Sequence, residues 1–171
     1  MRSLGWGIIT AATIYLASLV LPENETPWIA FFIIMLYTLM EIDKRMLLLP
    51  DILTVPLLIV GFSYAVFAGG MLGYEPAASA ANSALGAAAG YVIPVIASLF
   101  LIKKYPEAFG GGDIKLLSAV GSWVGLTNIP YVILLSCLLF AVSCFINKQR
   151  QGAFGPSIVI ASLIILFLSE Y

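Results

Sequence analysis

Long apolar stretches, broken by short polar ones, run through the whole chain. A membrane-crossing helix needs about 20 predominantly apolar residues, within a range of roughly 17–25. Seven segments approach that description: Leu4–Leu21, Pro27–Met40, Ile52–Leu72, Ser79–Ile102, Ile114–Leu126, Ile129–Ile146 and Gly155–Leu168. The pattern predicts an all-α membrane protein, a polytopic bundle of about seven transmembrane helices forming one domain over 1–171. The second, fifth and seventh segments are short, so their ends extend into polar flanks or the bilayer thins around them. The first also has the outline of a secretory signal peptide, with Arg2 ahead of it and small residues near Ala17-Ser18; it is read here as a span. Pro56 and Pro94 fall inside spans and predict bends. Ala77–Gly90 is rich in small residues, and its Gly86/Gly90 pair suits close helix packing.

Charge placement orders these spans. With the N-terminus inside and strict alternation, the inner segments hold Arg2, Lys44, Arg45, Lys103, Lys104, Lys115, Lys148 and Arg150, which is every basic residue in the chain. The outer segments hold only Glu23, Glu25, Glu75 and Glu170. Basic residues favour the cytoplasmic side, so an N-in/C-out arrangement follows. Removing any one internal span would put basic residues outside.

Composition agrees and narrows the chemistry. Hydrophobic residues make up 61% and charged residues 10%, against about 25% charge in a soluble domain. A formal net charge of −1 argues against a basic nucleic-acid binder. The chain has no His, so Ser/His and Cys/His catalysis and His-ligated metals are excluded. Cys137 and Cys144 form no paired motif, so no disulfide framework or zinc ribbon is expected. The expectation is of no metal and no cofactor.

Acids near the hydrocarbon are costly and usually functional. Glu41, Asp43, Asp51, Glu107 and Asp113 all fall on the inner side. Asp43 ends the second span and Asp113 opens the fifth, so alternation puts both at the same membrane face. Two nearby carboxyls can share one proton: the ionised one takes a proton from water while the protonated one polarises a peptide carbonyl. The plainer alternative pairs Asp43 with Lys44 or Arg45 among solvated headgroups. Ahead of Asp113 stand Gly110, Gly111 and Gly112, which allow unusual backbone angles and close approach. Asp113 then lies at a helix start, where free N–H groups favour an anion. A flexible loop or a phosphate cradle would look similar, although no Walker lysine pattern is present.

These segments resemble the type IV prepilin peptidases, the leader peptidases with a Gly-x-Gly-Asp motif. Glu107 to Asp113 matches E-x-x-G-x-G-D, continued by Ile114-Lys115-Leu116-Leu117 and by Gly121-Ser122-Trp123-Val124-Gly125. Ile42-Asp43 through Leu49-Pro50-Asp51 to Thr54 and Pro56 resembles the family's I-D…L-P-D-x-L-T-x-P segment. Gly86, Gly90-Tyr91 and Phe154-Gly155-Pro156 fit as well.

The resemblance implies an aspartyl endopeptidase of the bacterial inner membrane that removes a short basic leader from prepilins or pseudopilins at the cytoplasmic face. Its catalytic aspartates carry over to Asp43 and Asp113; the helix start at Asp113, apart from the resemblance, suggests Asp113 as the base and Asp43 as the acid. Glu107, Gly110, Gly111, Gly112 and Lys115 are assigned to loop and substrate support. Asp51 is expected to cap the third span. Many family members carry two Cys-x-x-Cys pairs in an N-terminal domain and also N-methylate the product. No Cys precedes Cys137 here, so methyl transfer from S-adenosylmethionine is not expected. Two other readings are an ion-coupled carrier using the same acids and a presenilin-like protease of other transmembrane helices. Against the carrier, carrier sites lie near the midplane; the Leu-Pro-Asp segment favours the prepilin branch over the presenilin-like one.

Overall fold

The structure, a computed structural model, describes residues 2–20, 24–69, 75–101, 110–148 and 152–169. Every regular element among them is an α-helix: α1 (Arg2–Val20), α2 (Thr26–Met46), α3 (Asp51–Ala68), α4 (Pro76–Leu101), α5 (Gly111–Asn147) and α6 (Gly155–Ser169). The middle four are long and apolar enough to cross a membrane, while α1 and α6 carry shorter apolar runs, Gly7–Leu19 and Gly155–Leu168.

Six elements answer to seven apolar segments because α5 is broken. Gly125 has φ 76° and ψ 175°, a conformation outside any helix. A straight helix of 37 residues would extend for about 55 Å. Yet Asp113 at the start of α5 lies within electrostatic range of Asp43, and Gly155, just past the end of α5, is hydrogen-bonded to it. The chain therefore turns back at Gly125, and its two arms match Ile114–Leu126 and Ile129–Ile146.

Side-chain contacts fix the directions. Asp51 meets Lys115 and Leu57 meets Trp123, so α3 runs parallel to the first arm of α5. Gly90 faces Leu117 and Gly86 faces Gly121, so α4 runs antiparallel to it. At the opposite end from Asp51, the Tyr64 hydroxyl donates to Glu25 at 2.9 Å, which sets α2 antiparallel to α3.

The first arm of α5 is the axis of the bundle. Every residue from Leu116 to Gly125 is buried, as expected of a helix apolar on all sides. Trp123 stacks on Phe32 at 4.7 Å and on Tyr64 at 5.5 Å, and its Nε1 donates to the Leu57 carbonyl at 2.8 Å. Against α4 the packing is backbone on backbone: a Cβ on Gly86 or Gly121 would overlap the other residue's carbonyl. Serines stitch the same interface, Ser83 Oγ donating to Ser122 O at 2.7 Å and Ser118 Oγ to Ala87 O at 2.9 Å. In hydrocarbon, backbone groups freed by a helix break need internal partners. Asn82 supplies one, its Oδ1 accepting from the Leu126 N–H at 2.9 Å, directly after the break.

Gly121→Ala should force α4 and α5 apart and destabilise the protein by about 1–3 kcal/mol, the usual range for overpacking. Gly7→Ala, where an added Cβ meets nothing within 4 Å, should be neutral or slightly stabilising. Thermal unfolding of the two variants in detergent checks the contrast.

Candidate active site

Asp43 is the last member of the buried stripe of α2. Ile29, Phe32, Ile33, Leu36, Leu39 and Met40 recur at helical spacing and face the core, and Asp43 continues that face. The next two residues fall on other faces, and both are exposed. Asp43 is thus only 4% exposed. Its Oδ2 accepts a hydrogen bond from the Gly155 N–H at 2.8 Å. Gly155 is the first residue of α6, and Phe154 O takes the first bonds of that helix from Ser157 and Ile158. The carboxylate therefore occupies the positive end of α6, where an N–H lacks a helical acceptor. A side chain at Gly155 would put its Cβ 2.6 Å from Asp43 Oδ2. The solvated pairing of Asp43 with Arg45 does not occur, because Arg45 Nε donates to Glu41 at 2.7 Å. Glu41, Ile42 and Arg45 line a groove of about 560 Å³ between α1 and α2, away from the face that holds Asp43.

Asp113 sits at the third position of α5, with extended Gly110 as the N-cap. Its carboxylate turns back onto the Gly110 backbone N–H, the half of a capping box in which the third residue serves the cap. It is partly exposed. Asp43 lies within direct electrostatic range of it. Both acids thus stand at helix N-termini, so a helix start does not by itself distinguish the base from the acid.

The glycines ahead of Asp113 differ in what they do. A Cβ on Gly110 would lie 3.0 Å from Asp113 Oδ2, and one on Gly112 would lie 2.9 Å from Leu49 Cβ. One on Gly111 would meet nothing within 4 Å. Gly112 thus lets the turn between α2 and α3 press onto the first turn of α5. Leu49 is the buried residue of that turn, while Leu47 and Leu48 are exposed.

Asp51 corrects an expectation. The cap of α3 is Pro50, in extended conformation and without a side-chain cap bond. Asp51 is already helical, and its carboxylate faces Lys115 Nζ at 2.7 and 2.8 Å. Lys115, assigned from sequence to loop and substrate support, is thereby paired across two helices. Glu107 lies outside the described residues. In the sequence, Gly155 and Leu49 are marked only by the Phe154-Gly155-Pro156 and Leu49-Pro50-Asp51 matches.

Asp43→Asn keeps an acceptor oxygen for Gly155 and should unfold close to wild type. Asp43→Ala leaves that buried N–H unpaired and should cost about 1–3 kcal/mol. Thermal denaturation in detergent distinguishes the two.

Residues 30–145 match the model of the type IV leader peptidase family, a stretch that includes both aspartates. A prepilin leader peptidase/N-methyltransferase of Vibrio cholerae is 29% identical over 155 residues, covering 84% of this chain and 58% of the relative. One of Xanthomonas campestris pv. campestris is 42% identical over 135 residues, covering 74% and 44%. The chain spans about half the length of the curated relatives it matches. No solved structure matches it. With most of its length under the family model and both aspartate segments inside the match, the chain belongs to the type IV leader peptidase family.

Proposed function

We propose that the protein is a membrane aspartyl endopeptidase that cuts the short basic leader from type IV prepilins or pseudopilins at the cytoplasmic face of the bacterial inner membrane. The observation that carries this reading is that Asp43 and Asp113, far apart in sequence, lie within electrostatic range of each other at one end of an apolar helical bundle. The relatives' names supply the substrate class.

In the proposed reaction one water lies between the two carboxyls. The ionised carboxylate takes a proton from the water, whose oxygen attacks the scissile carbonyl carbon. The protonated partner hydrogen-bonds the carbonyl oxygen as charge develops on it. Collapse of the tetrahedral intermediate breaks the C–N bond, and the proton removed from water goes to the departing amine. On Asp43, Oδ2 is engaged by Gly155, so Oδ1 is the oxygen that serves water or substrate. The side of Asp113 open to solvent is the route by which a cytoplasmic leader reaches the pair.

The proposed topology is a single domain of seven crossings, N-in and C-out, with α5 contributing two through the reversal at Gly125. It puts the aspartates on the side where basic residues collect, as cleavage of a basic leader requires.

Co-expression with a prepilin, scored by the gel shift of the processed product, tests the dyad. Asp43→Asn and Asp113→Asn should each reduce cleavage by a factor of about 10²–10⁴ or more while the protein still accumulates in the membrane. Retained cleavage in either variant would overturn the dyad. For topology, Leu48→Cys should label from the cytoplasmic side and Thr127→Cys from the opposite side, in a background with Cys137 and Cys144 changed to Ser. Labelling of both from one side would overturn the reversal as a membrane crossing.

A further inference from the structure

The proposed chemistry leaves one interaction unused, the ion pair between Asp51 and Lys115. Its partners come from the two segments that carry the aspartates. Lys115 follows Asp113 within the same helical turn of α5, and Asp51 opens α3 directly after the turn that begins at Leu47. Lys115 Nζ reaches both carboxylate oxygens, at 2.7 and 2.8 Å. The side chains are about half exposed, at 49% and 61%, so the pair adds little to global stability.

What the pair spans gives it its importance. Beside it, Leu49 packs on Gly112, where only a glycine leaves room. At the other end of the same turn, the Leu47 N–H donates to the Asp43 backbone carbonyl at 2.9 Å. Leu47 is one of two non-glycine residues with positive φ among those described, at φ 53°. A branched side chain in that conformation is uncommon and persists when its surroundings hold it. The turn is thus fastened to Asp43 by its first residue and to the helix of Asp113 by Leu49 and Asp51.

We infer that Asp51 and Lys115 form a latch that sets the separation of Asp43 and Asp113, acting as positioning residues and not as contacts of the scissile peptide. The latch closes a short circuit: Asp43, the turn, α3, Lys115, Asp113. Opening it frees the first turn of α5 to shift against the α2–α3 turn. Shifts of about 1 Å at a reacting centre cost up to roughly a hundredfold in rate.

The rate arm of the test rests on the proposed peptidase activity; a distance arm does not. In membranes, with a prepilin substrate, Asp51→Ala and Lys115→Ala should each lower kcat about tenfold with KM changed less than twofold. Lys115→Arg, which keeps a two-pronged donor, should retain most activity. The charge swap Asp51→Lys with Lys115→Asp should recover most of the loss. A swap no better than the single variants, or unchanged kcat in both singles, would overturn the latch. So would Lys115→Ala raising KM at constant kcat, which would make Lys115 a substrate contact. For the distance arm, spin labels go on cysteines replacing Leu48 and Gly111, both exposed, with Cys137 and Cys144 changed to Ser. Their separation should be narrowly distributed with the pair intact, broadened by Lys115→Ala and narrowed again by the swap. An unchanged distribution in Lys115→Ala would overturn the latch whether or not the protein cleaves prepilins. Absence of wild-type cleavage with several prepilins would instead count against the proposed function.

Discussion

A carboxylate at the end of an apolar stripe is sustainable only if something polar and positive meets it, and for Asp43 that partner is the N-terminus of α6. The bond from the Gly155 N–H to Oδ2 is short and buried, and much of the architecture exists to make it possible. α6 must begin beside the C-terminal end of α2, so the second arm of α5 must return there. The return depends on the break at Gly125, and the break depends on a neighbour able to take up a stranded N–H. Asn82, an amide in the small-residue half of α4, does that at Leu126. A polar side chain in one half of the bundle thereby permits the chain reversal that supplies the anion partner in the other half.

The two aspartates are alike in one respect and different in another. Each faces a helix N-terminus, α6 for Asp43 and its own helix for Asp113. Asp43 is buried and held by another helix, whereas Asp113 is partly open and held by its own turn. One is therefore set by the tertiary packing of α6 on α2, and the other by local geometry at the start of α5. Their separation is set where these two systems join, at the contacts of Leu49 with Gly112 and of Asp51 with Lys115.

Hydrophobic spacing alone carried much of this. Apolar positions along α2 repeat with helical period and lead onto Asp43, and alternation of the spans predicts its placement at the same end as Asp113. The reversal in α5 was visible as two apolar runs with polar residues between them, since Thr127 and Asn128 follow the break directly. Glycines hid the rest. Gly155 has no side chain to attract notice, and its role is to present an N–H that only tertiary contact reveals. Asp51 misled for a related reason. An Asp ahead of an apolar run has the look of an N-cap, but Pro50 already holds the extended conformation that a cap requires. Asp51 moves one position into the helix, and its charge becomes available to Lys115. Long-range pairing of this kind leaves no periodic trace.

The Gly-x-Gly-Asp spacing itself has a steric explanation here. The motif marks the first and third of three consecutive glycines without saying why. In the folded chain the first lies against the Asp113 carboxylate and the third lies against Leu49. The middle one faces open space, so that position tolerates a side chain and the motif leaves it unspecified. The first glycine serves the acid on its own helix, and the third admits the segment that follows the other acid. A two-glycine requirement with a free position between them is what results when a helix start must accept its own third side chain on one face and a neighbouring turn on the other.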